Sequence, residues 1–447
     1  MNIKTFTDFA PGRAILISLF AAILVGTALL ALPIARTTWI DPIDLFFTTT
    51  SVTCVCGLFT VPLDQFTFFG HVVILALIQI GGLGFITMAL FLISLFINLG
   101  MATTAMAGKV LDLESWTNIK QLLIFIITLT ICLELLGTLS IFMVIRHDFP
   151  LGHALLLASA QSISSFCNTG ILPLLNCYNY DYLTGGATSL LTSSWLMLFG
   201  GLGFITWRDL TQYAAALWNK KRYTLSLYSK IVLYWTASLL VISSVLFWIL
   251  EHDGVLQHES WSSKLILTLF HNISFKSAGL LTFNAMELQI ATLLLIMIAS
   301  FIGSAPLSTG SGIKVTSFAV LVSTIRASLA GKASSDIRGR QIPIDQVFKA
   351  ITVIALSMGW IILATFFLLI TEQNPQFFAM LFEASSAFCN LGITLGVTPT
   401  LSTIGKIFII LTMIIGRIGP LVIVLALHRR SAAVPGIKYP EERMMIG

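Results

Sequence analysis

Residues Ala14 to Ala35 and His71 to Met106 contain no Asp, Glu, Lys or Arg. A helix needs about 20 apolar residues to cross a hydrocarbon core, and both runs reach that length. Only 10% of the 447 residues are charged and 56% are hydrophobic, whereas soluble chains carry about 25% charged residues. The chain therefore reads as an integral membrane protein. Its first run reads as a retained helix, because Pro33-Ile34-Ala35-Arg36 is a poor cleavage site. The net charge of +5 is modest, and no basic run interleaved with aromatics points to nucleic acid.

Eight stretches have spanning length, near 14–35, 71–97, 119–145, 187–206, 230–250, 287–325, 350–370 and 404–427. Between the members of each pair lies a shorter apolar stretch: Ile43 to Val52, Ala154 to Ser165, Lys264 to Ser274 and Phe377 to Phe388. These are too short to cross and predict re-entrant half-helices. Each ends in glycine followed by an aliphatic residue, in CGL (56–58), CNTGI (167–171), SAGL (277–280) and CNLGI (389–393). Gly57, Gly170, Gly279 and Gly392 lie 113, 109 and 113 residues apart, so the chain reads as a fourfold repeat. Its units are 1–110, 111–225, 226–340 and 341–447, the last including a cytoplasmic tail. GGLGFIT occurs verbatim at 81–87 and 200–206; the third unit has GSAPLSTGSGIK (303–314) at the matching place and the fourth GRIGP (416–420). With both termini inside, 18 Lys and Arg fall on internal segments and 5 (Arg36, Arg146, Lys264, Lys276, Lys406) on the outer side. That bias predicts cytoplasmic termini and half-helices that enter from outside.

The expected fold is an all-α membrane protein with four M1-P-M2 repeats (helix, pore half-helix, filter loop, helix) in a pseudo-fourfold arrangement around a central pore. Half-helices ending midway aim the negative ends of their dipoles at the axis and favour a cation. Non-helical backbone at that depth must be buried or line a watery path, and its carbonyls can replace an ion's hydration shell. One glycine after a helix is an ordinary C-cap; four at near-constant spacing point to such a path.

Several features carry competing readings. Cys54-Val55-Cys56 invites a metal or redox idea, but an enzyme built on Cys54 and Cys56 needs a partner base or further ligands that no span supplies. Cys167 and Cys389 each stand three residues before a loop glycine, so cysteine reads as a small packing residue. The seven histidines lack metal-ligand spacing and read as interfacial polar residues. Glu383 reads either as a partner for loop amides or as a structural carboxyl. GSAPLSTGSGIK reads as a kinked helix or as a functional loop. Arg417, inside the last span, needs a partner: carbonyls of 303–314, or a carboxylate such as Glu134 or Glu383.

TSVTCVCGL (50–58), SSFCNTGI (164–171), FKSAGL (275–280), STGSGIK (308–314), SSAFCNLGITLGVTPTLSTIGK (385–406) and GRIGP (416–420) touch all four units. On these motifs the chain resembles the Trk/Ktr/HKT superfamily of potassium transporters, most closely the bacterial Ktr-type membrane subunit. The resemblance implies that Cys56-Gly57, Thr169-Gly170, Ala278-Gly279 and Leu391-Gly392 supply filter backbone, supported by Val55, Asn168, Ser277 and Asn390. In the family a first-filter glycine goes with potassium and serine with sodium, so Gly57 implies potassium. Lys276 departs from the arginine that bacterial relatives often carry there, keeping the charge but losing the fork geometry. The resemblance also implies a gate at 303–314, with Gly303, Ser308, Thr309, Gly310, Ser311, Gly312 and Lys314, latched by Arg417.

The implied activity is sodium-dependent potassium uptake across the cytoplasmic (inner) membrane by a protein that is not an enzyme. This chain would bind no cofactor, with K⁺ and Na⁺ as transported or coupling ions. Implied partners are a cytoplasmic nucleotide-binding regulatory subunit of RCK/KTN type and a second copy in a homodimer, within the lipid bilayer. Competing readings are a sodium-permeable member of the same fold and the potassium-binding membrane subunit of an ATP-driven pump, which would add spans outside the four units.

Overall fold

The computed structural model describes residues 11–84, 119–171, 186–332, 334–373 and 375–420. The predicted reach of the first unit's second span past Gly84, the C-terminal tail and both chain ends lie outside these residues. Fourteen α-helices occur among the described residues: α1 (Pro11–Ala31), α2 (Pro42–Thr53), α3 (Phe68–Leu83), α4 (Ile119–Ile145), α5 (Leu151–Cys167), α6 (Ala187–Gly201), α7 (Phe204–Trp218), α8 (Leu227–Glu251), α9 (Trp261–Ser274), α10 (Ile290–Phe301), α11 (Val315–Leu329), α12 (Ile344–Thr371), α13 (Phe377–Cys389) and α14 (Thr403–Ile418).

The four predicted half-helices correspond to α2, α5, α9 and α13, each a little longer than expected. They are buried: in α2 every residue from Phe47 to Thr53 is buried, including four threonines and Ser51. Helical hydroxyls survive there because they donate back to carbonyls one turn earlier, as Thr49 does to Leu45 at 2.7 Å. The longer helices carry the outer surface, where Leu135, Val241 and Ile362 are about 63–64% exposed. Such apolar exposure suits a hydrocarbon solvent.

Packing closes into a cycle. Each short helix sits against the long helix preceding it: α1 on α2, α4 on α5, α8 on α9, α12 on α13. The helix following each short one then reaches the next short helix in turn: α3 packs on α5, α6 on α9, α10 on α13, and α14 returns to α2. Lys406 in the first turn of α14 binds Asp44 in the first turn of α2 at 2.6 Å, with both side chains largely shielded.

Two expected spans are broken with both halves among the described residues. Single helices long and apolar enough to cross a membrane are Gln121–Ile145, Leu227–Glu251 and Ile344–Thr371 among the described residues, so the eight predicted crossings are not eight continuous helices. The stretch 187–206 splits after Gly201, and α7 leaves α6 at 101°. Gly203 there has φ 82 and ψ 140, a conformation no right-handed helix can pass through. The stretch 287–325 splits into α10 and α11 around a non-helical segment. The loop after α11 also departs from the all-helical expectation: Asp336–Ile337 pairs with Arg340–Gln341 in a short hairpin. Its turn residues Arg338 and Gly339 have φ 50 and 76, as a type I′ turn requires.

Candidate functional site

At the C-terminus of each short helix the backbone turns left-handed. Gly57, Gly170, Gly279 and Gly392 have φ of 99, 68, 69 and 83, values that glycine adopts without steric penalty. Two residues earlier, Val55, Asn168 and Asn390 are also left-handed, at φ 60, 59 and 50. Asparagine tolerates this conformation; β-branched valine is a genuine outlier there. Ser277, the third counterpart, does not need it, because the third loop is one residue shorter.

The four loops meet in cyclic order. A Cβ placed on Gly57 would lie 2.5 Å from the carbonyl oxygen of Thr169. On Gly170 it would strike the Ala278 carbonyl, on Gly279 the Leu391 carbonyl, and on Gly392 the Cys56 carbonyl. Each glycine thus abuts the residue that precedes the next glycine, and the fourth closes on the first. The structure brings together Cys56, Gly57, Thr169, Gly170, Ala278, Gly279, Leu391 and Gly392, all named from the sequence.

One set of residues was not singled out from the sequence. Ser51, Ser164 and Ser386 stand six residues before their glycines and Ser274 five before its own. Ser51 Oγ accepts from Gly57 N at 3.1 Å, Ser164 Oγ accepts from Ile171 N at 3.2 Å, and Ser274 Oγ donates to Leu280 O at 2.7 Å. The carbonyls of Ser51, Ser164 and Ser386 accept from Cys56, Thr169 and Leu391, at 2.7, 3.0 and 2.9 Å. The available signal is a serine six residues before the glycine in three quarters and five before it in the third.

The repeated G-x-x-G of the following helices has two roles. Its first glycine allows close approach: a Cβ on Gly81, Gly200 or Gly416 would strike the carbonyl of Thr53, Phe166 or Phe388, each four residues before a loop glycine. Its last glycine ends the helix, with φ 83 at Gly84, 82 at Gly203 and 92 at Gly419.

The segment between α10 and α11 is held against this arrangement by specific bonds. Ala305 N and Thr309 N donate to the carbonyls of Gly201 and Gly200, both at 3.1 Å, and Phe204 N donates to Leu307 O at 2.8 Å. The broken end of α6 thus supplies the partners that the interrupted helix lacks. Within the segment Ser304 N donates to Ser311 O at 3.2 Å, Lys314 Nζ to Gly310 O at 2.9 Å, and Gly312 has φ 78. Gly303 is packed so that a Cβ would strike the Ser311 carbonyl. Thr309 Oγ1 donates to Phe166 O at 3.0 Å and accepts from Asn168 Nδ2 at 2.7 Å, joining the segment to the second loop. Ser277 and Ser304 hydroxyls meet at 3.2 Å, joining it to the third.

Arg417 binds the segment and not a carboxylate. Its guanidinium donates to Thr309 O at 2.7 Å, to Ser311 Oγ at 3.0 Å and to Gly81 O. Glu134 instead accepts from Gln79 Nε2 at 3.0 Å, and Glu383 accepts from the hydroxyls of Thr394 at 2.8 Å and Thr398. Lys276 is buried, with no hydrogen bond to its ammonium among the described residues. His271 departs from the interfacial reading: it is fully buried, with Nδ1 2.7 Å from Leu267 O and Nε2 accepting from Thr282 N at 3.2 Å, behind the third loop. Cys54, Cys56, Cys167 and Cys389 are buried and unpaired.

A family model described as TrkH, cation transport protein, matches residues 25–433. Over 444 residues the chain is 33% identical to the Ktr system potassium uptake protein B of Bacillus subtilis, covering 98% of this chain and 97% of that one. It is 31% identical over 450 residues to the potassium/sodium uptake protein NtpJ of Enterococcus hirae, covering 98% and 97%. The crystal structure of the potassium transporter TrkH from Vibrio parahaemolyticus shares the fold, with a TM-score of 0.71 at 17% identity over 94% of this chain and 86% of that one. With the family model and the full-length relatives in agreement, the chain belongs to the TrkH family of cation transport proteins.

Proposed function

We propose that this chain is the membrane subunit of a Ktr-type potassium uptake system, a single chain whose four M1-P-M2 units surround one pore in the cytoplasmic membrane. The observation that carries the reading is the cyclic contact of Gly57, Gly170, Gly279 and Gly392 with the carbonyls of Thr169, Ala278, Leu391 and Cys56. A ring of backbone at the ends of four inward-aimed half-helices is suited to replace the hydration shell of a monovalent cation. All four ring positions are glycine, and with Gly57 in place of serine the ion is K⁺.

Residues 303–314 act as the gate, and Arg417 latches them by gripping Thr309 and Ser311. Lys314, bonded to Gly310, holds the far end of the same segment. An inside-negative potential drives entry at about 2.3 kcal/mol per charge per 100 mV, so uptake needs no chemistry within the chain. Sodium acts as a coupling ion, a nucleotide-binding RCK/KTN-type ring docks on the cytoplasmic face, and the membrane subunit works as a homodimer.

Complementation of a potassium-uptake-deficient bacterium tests this reading. With a co-expressed regulatory subunit, the wild type is expected to restore growth at low potassium, and Gly57→Ser is expected to lose K⁺ preference in flux assays. Failure of a correctly inserted wild type to rescue growth would overturn the reading. Equal K⁺ and Na⁺ flux through the wild type would favour the sodium-permeable alternative, to which the relative named a potassium/sodium uptake protein lends weight.

A further inference from the structure

Where the first turn of α8 meets the last turn of α11, a pocket of about 440 Å³ opens against the hairpin of residues 336–341. Four cations line it, Lys230, Arg326, Lys332 and Arg338, with one carboxylate, Asp336. Asp336 is already paired with Lys332 at 3.0 Å. Among the described residues no hydrogen bond or ion pair engages the side chains of Lys230, Arg326 or Arg338. Three unpaired cations around one opening repel one another until an anion enters.

The pocket is held in shape by the fold. Ser323 Oγ donates to Asp336 O at 2.9 Å, tying the hairpin to α11, and Trp235 packs edge-on against Phe318 at 5.2 Å, tying α8 to α11. Its lining also carries apolar side chains, Trp235 and Val322 among them. Lys230 lies in the first turn of a 25-residue apolar helix, the depth at which a span leaves hydrocarbon for headgroups. Tyr234, one turn further in, is 58% exposed, as in the aromatic belt of a membrane interface.

We propose that this pocket binds the phosphodiester headgroup of an anionic glycerophospholipid, with glycerol and upper acyl chain against Trp235 and Val322. The Arg326 fork suits two phosphate oxygens and Lys230 adds a point charge. A free phosphate would leave the apolar part of the lining uncovered, and an acidic peptide would have to reach headgroup depth. The inference rests on the membrane orientation proposed above but not on the transported ion.

Native mass spectrometry of the full chain with phosphatidylglycerol and phosphatidylcholine at equal mole fraction tests it. Wild type is expected to retain phosphatidylglycerol roughly tenfold or more over phosphatidylcholine, as two cations near an anionic lipid would give. Lys230→Gln/Arg326→Gln should lose that preference, and Lys230→Arg/Arg326→Lys should keep it, each with an unchanged melting point. Equal retention of both lipids by the wild type, or undiminished preference in the glutamine variant, would overturn the assignment. Full displacement of phosphatidylglycerol by millimolar inorganic phosphate, or by an acidic peptide, would overturn it in favour of those ligands. Because the readout is lipid retention, its failure leaves potassium uptake untouched, and failed complementation leaves this result standing.

Discussion

Gly416 and Gly359 both lie inside helices, yet they face opposite constraints. A Cβ at Gly416 would strike the Phe388 carbonyl, whereas at Gly359 on α12 it would meet nothing within 4 Å. Gly416→Ala is therefore expected to destabilise by about 1–3 kcal/mol through overpacking, and Gly359→Ala to stabilise by about 0.5–1 kcal/mol through reduced backbone entropy of the unfolded chain. Thermal unfolding in detergent checks the pair; a Gly416→Ala protein melting at or above wild type would remove the close-approach argument. The loop glycines were legible because four of them recur at near-equal spacing. The serines behind them were not, since serine is common near helix ends and the third quarter is one residue out of register. The family resemblance makes Val55 a filter support, but its left-handed backbone is hidden in the sequence: only comparison with Asn168 and Asn390 marks the position, and valine is the last residue expected there.

At the scale of elements, hydropathy reports how long an apolar stretch is and says nothing about its direction. That is why 187–206 read as one span, although Gly203 turns the chain through 101° between α6 and α7. The interruption of the third unit was legible from its glycines and proline. Its partners were not, because Gly200 and Gly201 lie about a hundred residues upstream. The sequence shows that Arg417 needs a partner, a carbonyl or a carboxylate, and the structure contains the carbonyl kind. As a prediction, Arg417→Ala frees the carbonyls of Thr309 and Gly81 and should change K⁺ flux severalfold while leaving K⁺ over Na⁺ preference intact; unchanged transport kinetics would refute the latch.

A second element-scale prediction concerns the turn from α7 into α8. Asp209 accepts from Tyr223 OH at 2.7 Å and from Ser226 N and Oγ at 2.9 and 2.8 Å. Burial alone would raise this carboxyl, but hydrogen bonds from Ser229, Tyr223 and Ser226 outweigh it and hold the group below its ordinary 3.8. A depressed carboxyl stabilises the fold above its unfolded pKa, and that contribution is lost as pH falls through the folded value. Asp209→Asn should thus lower the melting point at pH 7, with the gap to wild type narrowing below about pH 4. A gap that does not depend on pH would argue against an ionised Asp209.

For the whole molecule, the charge bias predicts Trp218 inside and Trp261 outside, and both are exposed, at 89% and 72%. In intact cells a membrane-impermeant thiol reagent should label Trp261→Cys and spare Trp218→Cys, relative to the unsubstituted chain; the reverse pattern would invert the topology. The cyclic packing that ends with α14 on α2 joins the two ends of the described chain, which no local pattern encodes. It was legible only indirectly, as four similar quarters that must go somewhere. The same closure has a genetic consequence. Since every glycine and carbonyl of the ring is encoded in one reading frame, a cell holding an intact and a damaged allele builds rings that are wholly one or wholly the other. A ring lesion therefore never enters a ring made from the intact allele, and a change in one quarter is inherited without being copied into the other three.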